Sequence, residues 1–328
     1  MLQQTGAQGC GARCRSRKGR RALEEMNMKD KGVTWKKVKR YRGIYLMLLP
    51  VVVYFLVFSY YPLFLGLINS FQKVKLLGGS QFVGLENYQE VAQSAQYQQA
   101  LVNSLIVGIG TFLLQFVWGL AIALFLNEVK NKVVKSLIQT VTYIPYLLSW
   151  AVVGGLWITI FSPNGMINGI LELIQGADFQ PIVFMSEPAF ARAIMIFTGA
   201  WKGAGYFAAL FLAAIVSLDE SLYESAQIDG ATRWQQLTRI TLPQIVPTMK
   251  IVTVLSAMSV LRNFDQIFVM GNASINDKVQ NLLVLIYNDG ILEFNVGVAT
   301  AAATLVLVIT MVISFTVRRL LRYDQSYD

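Results

Sequence analysis

The chain contains no histidine and only two cysteines, and each absence closes off some chemistry. Without histidine there is no His-dependent nucleophile triad and no imidazole metal ligand. Cys10 and Cys14 are spaced C-x-x-x-C with no further ligands, which neither completes a tetrahedral zinc site nor implies a disulfide framework. No Gly-Lys dipeptide occurs, so no Walker A loop is present to cradle nucleotide phosphates. Charge is scarce as well, at 14% of 328 residues against 55% hydrophobic. Those proportions argue against a soluble core and for a polytopic membrane protein, with no metal and no cofactor of its own.

What charge there is lies unevenly. Residues 1–42 hold 13 Lys and Arg and three acids, a net of +10, while the whole chain is +9. The basic charge is therefore an arm and not a face, and a cytosolic tail near anionic headgroups explains it without nucleic acid. The arm has no apolar core of the signal-peptide kind, and Met26 and Met28 are alternative starting points.

Runs of about 20 predominantly apolar residues mark candidate spans. Six are found, at about 44–67, 101–126, 137–161, 191–216, 248–270 and 296–317. Gly108-Ile109-Gly110 and Gly154-Gly155 sit inside two of them as packing features. Basic residues between spans set the orientation. The arm carries 13, the loop after the second span three, the loop after the fourth two (Arg233 and Arg239) and the tail three. The opposite side carries Lys73, Lys75 and Lys278. The reading is an all-α integral membrane protein with six transmembrane helices and both termini cytoplasmic. Its domains are a basic arm over 1–42 and a six-span body over 43–328.

The cytosolic loop 217–247 is polar but not loop-like. Ser217 followed by Glu220 reads as a capping box opening a helix that runs to Ile228. Gly230 sits where a left-handed residue would end it. Asp229 is then expected to cap a second short helix, with Trp234, Leu237 and Thr241 on one face, stopped by Pro243. A bent helical hairpin of this kind is a docking element.

Ionisable groups inside spans are expensive and usually face a cavity or partner. Lys202 lies roughly 24 Å up its span from the cytosolic end, and Arg262 to Asp265 lie roughly 22–27 Å up theirs at 1.5 Å per residue. The expectation is a path bordered by Trp201, Lys202, Tyr206, Asn263 and Asp265, where aromatic faces and polar groups suit a saccharide. The plainer reading is that Lys202 and Asp265 neutralise each other or reach the interface as anchors.

Glu224-Ser225-Ala226, Asp229-Gly230-Ala231 and Ile240-Thr241-Leu242-Pro243 follow the pattern E-A-A-x-x-D-G-A, spacer, I-x-L-P. This resembles the EAA loop of permease subunits in binding-protein-dependent ABC importers, with Ser225 replacing the first Ala. Thr142-Tyr143-Ile144-Pro145-Tyr146-Leu147-Leu148-Ser149-Trp150, Trp201-Lys202 with Gly205, Leu222-Tyr223-Glu224 and Asn263-Phe264-Asp265-Gln266 look like the polysaccharide-type sugar permeases, with Tyr146 in place of a usual His. The likeness runs from about Tyr41 to the C-terminus. It implies the type I importer permease fold, a second related permease, two cytosolic ABC ATPase subunits and an extracytoplasmic solute-binding protein. Glu224 would pair with a basic group on the ATPase, and Gly230 and Trp234 would shape the docking. It also implies a prokaryotic cell membrane and an oligosaccharide cargo, with ATP hydrolysed on partner subunits. Permeases for amino acids or glycerol phosphate share the loop. A membrane-embedded glycosyltransferase is the competitor from another class, for which the outer loops offer only Glu86, Glu90, Glu172 and Asp178.

Overall fold

The computed structural model describes residues 41–74, 79–176 and 179–321. The basic arm through residue 40, both cysteines, Lys75, Asp178 and Arg322 lie outside them. The chain divides into two units at Phe64–Leu65. In the first, helix α1 (Arg42–Asn69) begins, and every residue from Arg42 to Phe64 is exposed. Its turn widens over Leu56–Tyr60, with the Tyr61 N–H reaching back to the Leu56 carbonyl, just before Pro62. Widening removes the clash between a proline ring and the carbonyl four residues earlier, so the helix continues through Pro62.

The second unit is almost entirely helical. A two-stranded antiparallel ribbon, β1 (Gln72–Lys73) with β2 (Gln81–Phe82), leads to α2 (Glu86–Gln93). Asn87 on α2 ties the ribbon down by donating to the Ser70 and Gln72 carbonyls. The long α3 (Ala95–Glu128) follows, then α4 (Lys132–Leu147) and α5 (Trp150–Ile160), which meet at 101°. Next come α6 (Met166–Gln175), the long α7 (Pro188–Val216), α8 (Glu220–Ile228) and α9 (Arg233–Ala257). Three short helices, α10 (Phe264–Met270), α11 (Asn276–Val279) and α12 (Leu282–Leu292), precede α13 (Val296–Leu320). Among the described residues five helices are long and apolar enough to cross a membrane, and the bent α4–α5 pair makes a sixth if counted as one span.

Helix α7 is the axis of this unit, more buried than any other long apolar helix among the described residues. Its buried face is rich in Ala and Gly, which lets neighbours come close. A Cβ at Gly205 would overlap the Thr142 carbonyl of α4, so only glycine fits there. Toward one end Phe207, Phe211 and Ile215 pack with Ala123 and Leu126 of α3 and Ile245 of α9. Toward the other, Ile194 and Met195 pack with Trp157 of α5 and Ile267 of α10.

Three features differ from the sequence expectation. Pro243 does not stop a helix: α9 runs through it, because the turn over Leu237–Thr241 widens and the Leu242 N–H bonds the Leu237 carbonyl. The apolar stretch 248–270 is not one helix, since α9 ends at Ala257 and α10 starts at Phe264. The count of 1.5 Å per residue therefore fails before it reaches Arg262. Of the two glycine pairs, Gly108 lies against the Val260 backbone, Gly110 against Ile196 and Gly154 against Val269, whereas Gly155 meets nothing.

Candidate functional site

Two places in the second unit gather the residues singled out from the sequence. The first is the hairpin. Asp219, not Ser217, caps α8: its Oδ1 accepts from the Ser221 N–H at 3.0 Å. A cap needs an extended backbone, which Asp219 has (ψ 121°), whereas Ser217 still ends α7 (ψ −5°) with its hydroxyl on the Ala214 carbonyl. The backbone bond from Ser221 holds the Asp219 carboxyl below its ordinary pKa. Thr232, not Asp229, caps α9, forming a full capping box with Gln235, for the same conformational reason.

Between the two caps the motif residues divide the work of a Schellman turn. Gly230 adopts φ +78° and its N–H bonds the Gln227 carbonyl, while the Ala231 N–H bonds the Ala226 carbonyl at 2.8 Å. Asp229 is the last near-helical residue before it. Glu224 and Ser225 are exposed on α8, and Ile240, Leu242 and Pro243 follow on α9, with Leu242 against the core around Ile245. At the hairpin Ile228 is 87% exposed and Trp234 71%, both unusual for such large apolar side chains. A hollow of about 1050 Å³ separates the hairpin from the ends of α3 and α7. Tyr223, Glu224, Trp234, Leu237 and Thr241 line it, so Trp234, Leu237 and Thr241 share a face that borders the hollow, with Trp234 still largely exposed. A bond between the Tyr223 and Thr241 hydroxyls (2.9 Å) and an ion pair of Arg233 with Glu128 (3.8 Å) brace the hollow.

The second place is a cavity of about 500 Å³ bounded by α3, α4–α5, α7, α9 and the unwound residues 258–263. Lys202, Tyr206 and Asn263 line it as expected, but Trp201 and Asp265 do not. Trp201 instead stands edge-on to Trp157 at 5.3 Å, in the apolar cluster. Lys202 is held by three groups from two residues. Its Nζ donates to the Tyr146 carbonyl at 2.9 Å, at the C-terminal end of α4, and lies 5.5 Å and 5.6 Å from the ring centres of Tyr146 and Trp150. Asp265 is near enough for its charge to act on Lys202, though no direct ion pair forms. The Tyr146 and Tyr206 rings stack at 4.7 Å and 12° to make an aromatic wall.

Several lining residues had escaped the sequence reading. Thr111 and Gln115 come from α3, Ser256 and Ser259 from the end of α9 and the turn after it, and Gln266 from α10, while Arg262, which the sequence already set beside the path, lines the cavity from that turn. Their signal was present: Gly108, Thr111 and Gln115 recur at steps of three and four in an apolar run, which places them on one helix face. Gln266 is fully buried and organises the floor. Its Nε2 donates to the Met195 carbonyl (2.7 Å) and Thr198 hydroxyl (2.9 Å), and its Oε1 accepts from Asn263 (2.7 Å). Asn281 in turn donates to the Asn263 carbonyl, pinning the turn. The Thr111 hydroxyl is buried without a partner among the described residues. Backbone unwound at membrane depth is tolerated where it lines a cavity, and residues 258–263 do so.

A polytopic helical bundle with a bent polar hairpin and a polar cavity against a broken helix is the architecture of a membrane permease. The chain belongs to the family of binding-protein-dependent transport system inner membrane components, whose model matches residues 115–323. Protein LplB of Bacillus subtilis (strain 168) is 31% identical over 292 residues, covering 87% of this chain and 90% of that protein. The polygalacturonan/rhamnogalacturonan transport system permease protein YteP of the same strain is 31% identical over 283 residues, covering 83% and 87%. Among solved structures, a bacterial alginate ABC transporter in complex with an alginate pentasaccharide-bound periplasmic protein contains a chain that is 33% identical with a TM-score of 0.82, covering 90% of this chain and 99% of that one. The fold is that of an ABC importer permease.

Proposed function

We propose that this chain is one of two related permeases in an ATP-driven importer of oligosaccharides, lining half of the path and taking its drive from cytosolic ATPases through the hairpin 217–247. The observation that carries the reading is the cavity of about 500 Å³ beside the break at residues 258–263. It combines stacked Tyr146 and Tyr206, for sugar faces, with amide and hydroxyl groups for sugar hydroxyls. The names of the similar permeases, which refer to polygalacturonan and alginate transport, support a saccharide cargo. The hairpin's exposed Ile228 and Trp234 support a docked partner, since large apolar side chains at a polar surface mark interaction sites. On this reading the membrane is a prokaryotic inner membrane, the spans number six, both termini are cytosolic, and ATP is hydrolysed on the partner subunits.

The drive is mechanical. Because α8 follows α7 after the short turn at Ser217, and α9 continues from the hairpin up to the cavity, a push on the hairpin moves two walls of the cavity. The test is the complete complex in proteoliposomes. Oligosaccharide-loaded binding protein should stimulate ATP hydrolysis several-fold and amino acids should not; stimulation by amino acids alone would overturn the oligosaccharide reading.

A further inference from the structure

We propose that Arg262 is a carboxylate-binding residue of the path and that the cargo is acidic, a saccharide of the uronate type. This rests on the reading of the cavity as part of an oligosaccharide path. The cavity is lined by two permanent or near-permanent cations, Lys202 and Arg262, and by no Asp or Glu. The two are not equivalent. Lys202 is engaged by the Tyr146 carbonyl and two aromatic rings. Its work is to tie the end of α4 to α7. The Arg262 guanidinium has no hydrogen-bonding or ion-pair partner among the described residues, and its backbone lies in the unwound turn, bonded from its N–H to the Ser259 carbonyl.

An arginine side chain without a partner, on a cavity lined by no acid, leaves its whole set of donors open to an anionic group of the cargo. Its planar fork matches a carboxylate in two parallel bonds, which a hydroxyl of a neutral sugar cannot reproduce. The neighbouring groups suit the rest of such a sugar. Ser259 and Asn263 flank Arg262 in the turn, and the unpartnered Thr111 hydroxyl lines the same cavity. The asymmetry assigns the two cations different jobs, selection to Arg262 and scaffolding to Lys202.

The experiment uses the whole complex in proteoliposomes with trimers of galacturonate and of mannuronate and the methyl ester of each, which removes the charge and little else. Binding-protein affinities are measured separately so that rates are compared at saturation. The wild type should transport at least one trimer faster than its ester. Arg262→Gln should lower the acid-to-ester ratio by roughly ten- to a hundredfold, the loss of a charge-assisted hydrogen-bonded pair. Arg262→Lys, which keeps the charge in case the glutamine variant does not assemble, should fall between. Lys202→Met should slow acid and ester alike. A wild-type ratio at or below one for both sugars overturns the proposal while leaving the oligosaccharide reading intact. So does a ratio that stays within twofold in the Arg262 variants, as an arginine anchored only to lipid headgroups would give. Stimulation by no oligosaccharide at all sinks both.

Discussion

Glycine at position 205 is fixed by a neighbour and not by its own backbone. The Thr142 carbonyl occupies the place of its missing Cβ, and backbone on both sides leaves nothing flexible to yield. Gly205→Ala should therefore destabilise the bundle by about 1–3 kcal/mol, the usual range for overpacking. Gly155 is the control. It lies in α5 with nothing near its Cβ position, so Gly155→Ala should be neutral or stabilising by up to about 1 kcal/mol, as for glycine in an exposed helix. Thermal unfolding of the two variants in detergent distinguishes the cases, and equal melting temperatures would refute the close-approach argument. At this scale the sequence was a partial guide. It marked both members of Gly154-Gly155 as packing sites, but only Gly154 meets a neighbour, because adjacent helix residues face different directions. It marked Trp201 and Asp265 for the cavity because chemistry is legible residue by residue, while the direction a side chain takes is set by packing that one chain segment does not reveal.

At the scale of the element, the hairpin is the best test of how far local sequence specifies structure. Two helices, a left-handed glycine and their order all follow from the residues, and the observed Schellman turn at Ala226, Gly230 and Ala231 agrees. The caps were misplaced at each helix start by two or three residues, since Ser217, Asp219, Asp229 and Thr232 are all capable side chains and only the backbone decides among them. The break of the 248–270 stretch was invisible for a different reason: residues 258–263 carry no proline or glycine, and the turn is held by Asn281 and Gln266 from elsewhere in the chain. The hairpin also separates interactions that look alike. Arg233 and Glu128 form an ion pair with side chains 71% and 63% exposed, and such pairs contribute about 0–1 kcal/mol. Glu128→Gln should leave both stability and ATPase co-purification nearly unchanged. Trp234 presents a large apolar surface on the same element, and Trp234→Ala should cut recovery of the ATPase in a pull-down at least several-fold. Equal recovery from both variants would remove the hairpin from the ATPase interface.

The whole molecule sets the direction in which any push on the hairpin acts, and that depends on which side of the membrane it occupies. In the orientation proposed from the count of basic residues, the hairpin, the loop after α3 and both termini share the cytosolic side and outer segments such as α6 lie on the other. A variant carrying Cys10→Ser and Cys14→Ser has no cysteine left, so single cysteines introduced into it report position cleanly. Leu173 on α6 is 87% exposed and Ile228 at the hairpin is equally so, which makes both reachable by a reagent. In intact cells a membrane-impermeant maleimide should label Leu173→Cys and spare Ile228→Cys, and permeabilisation should reveal the second. Loading the complex with ATPase should then slow labelling of Ile228→Cys alone, because the partner covers that end and no other. The reverse sidedness would put the hairpin where no ATP is available, and the transmission from hairpin through α9 to the cavity would have no source of work.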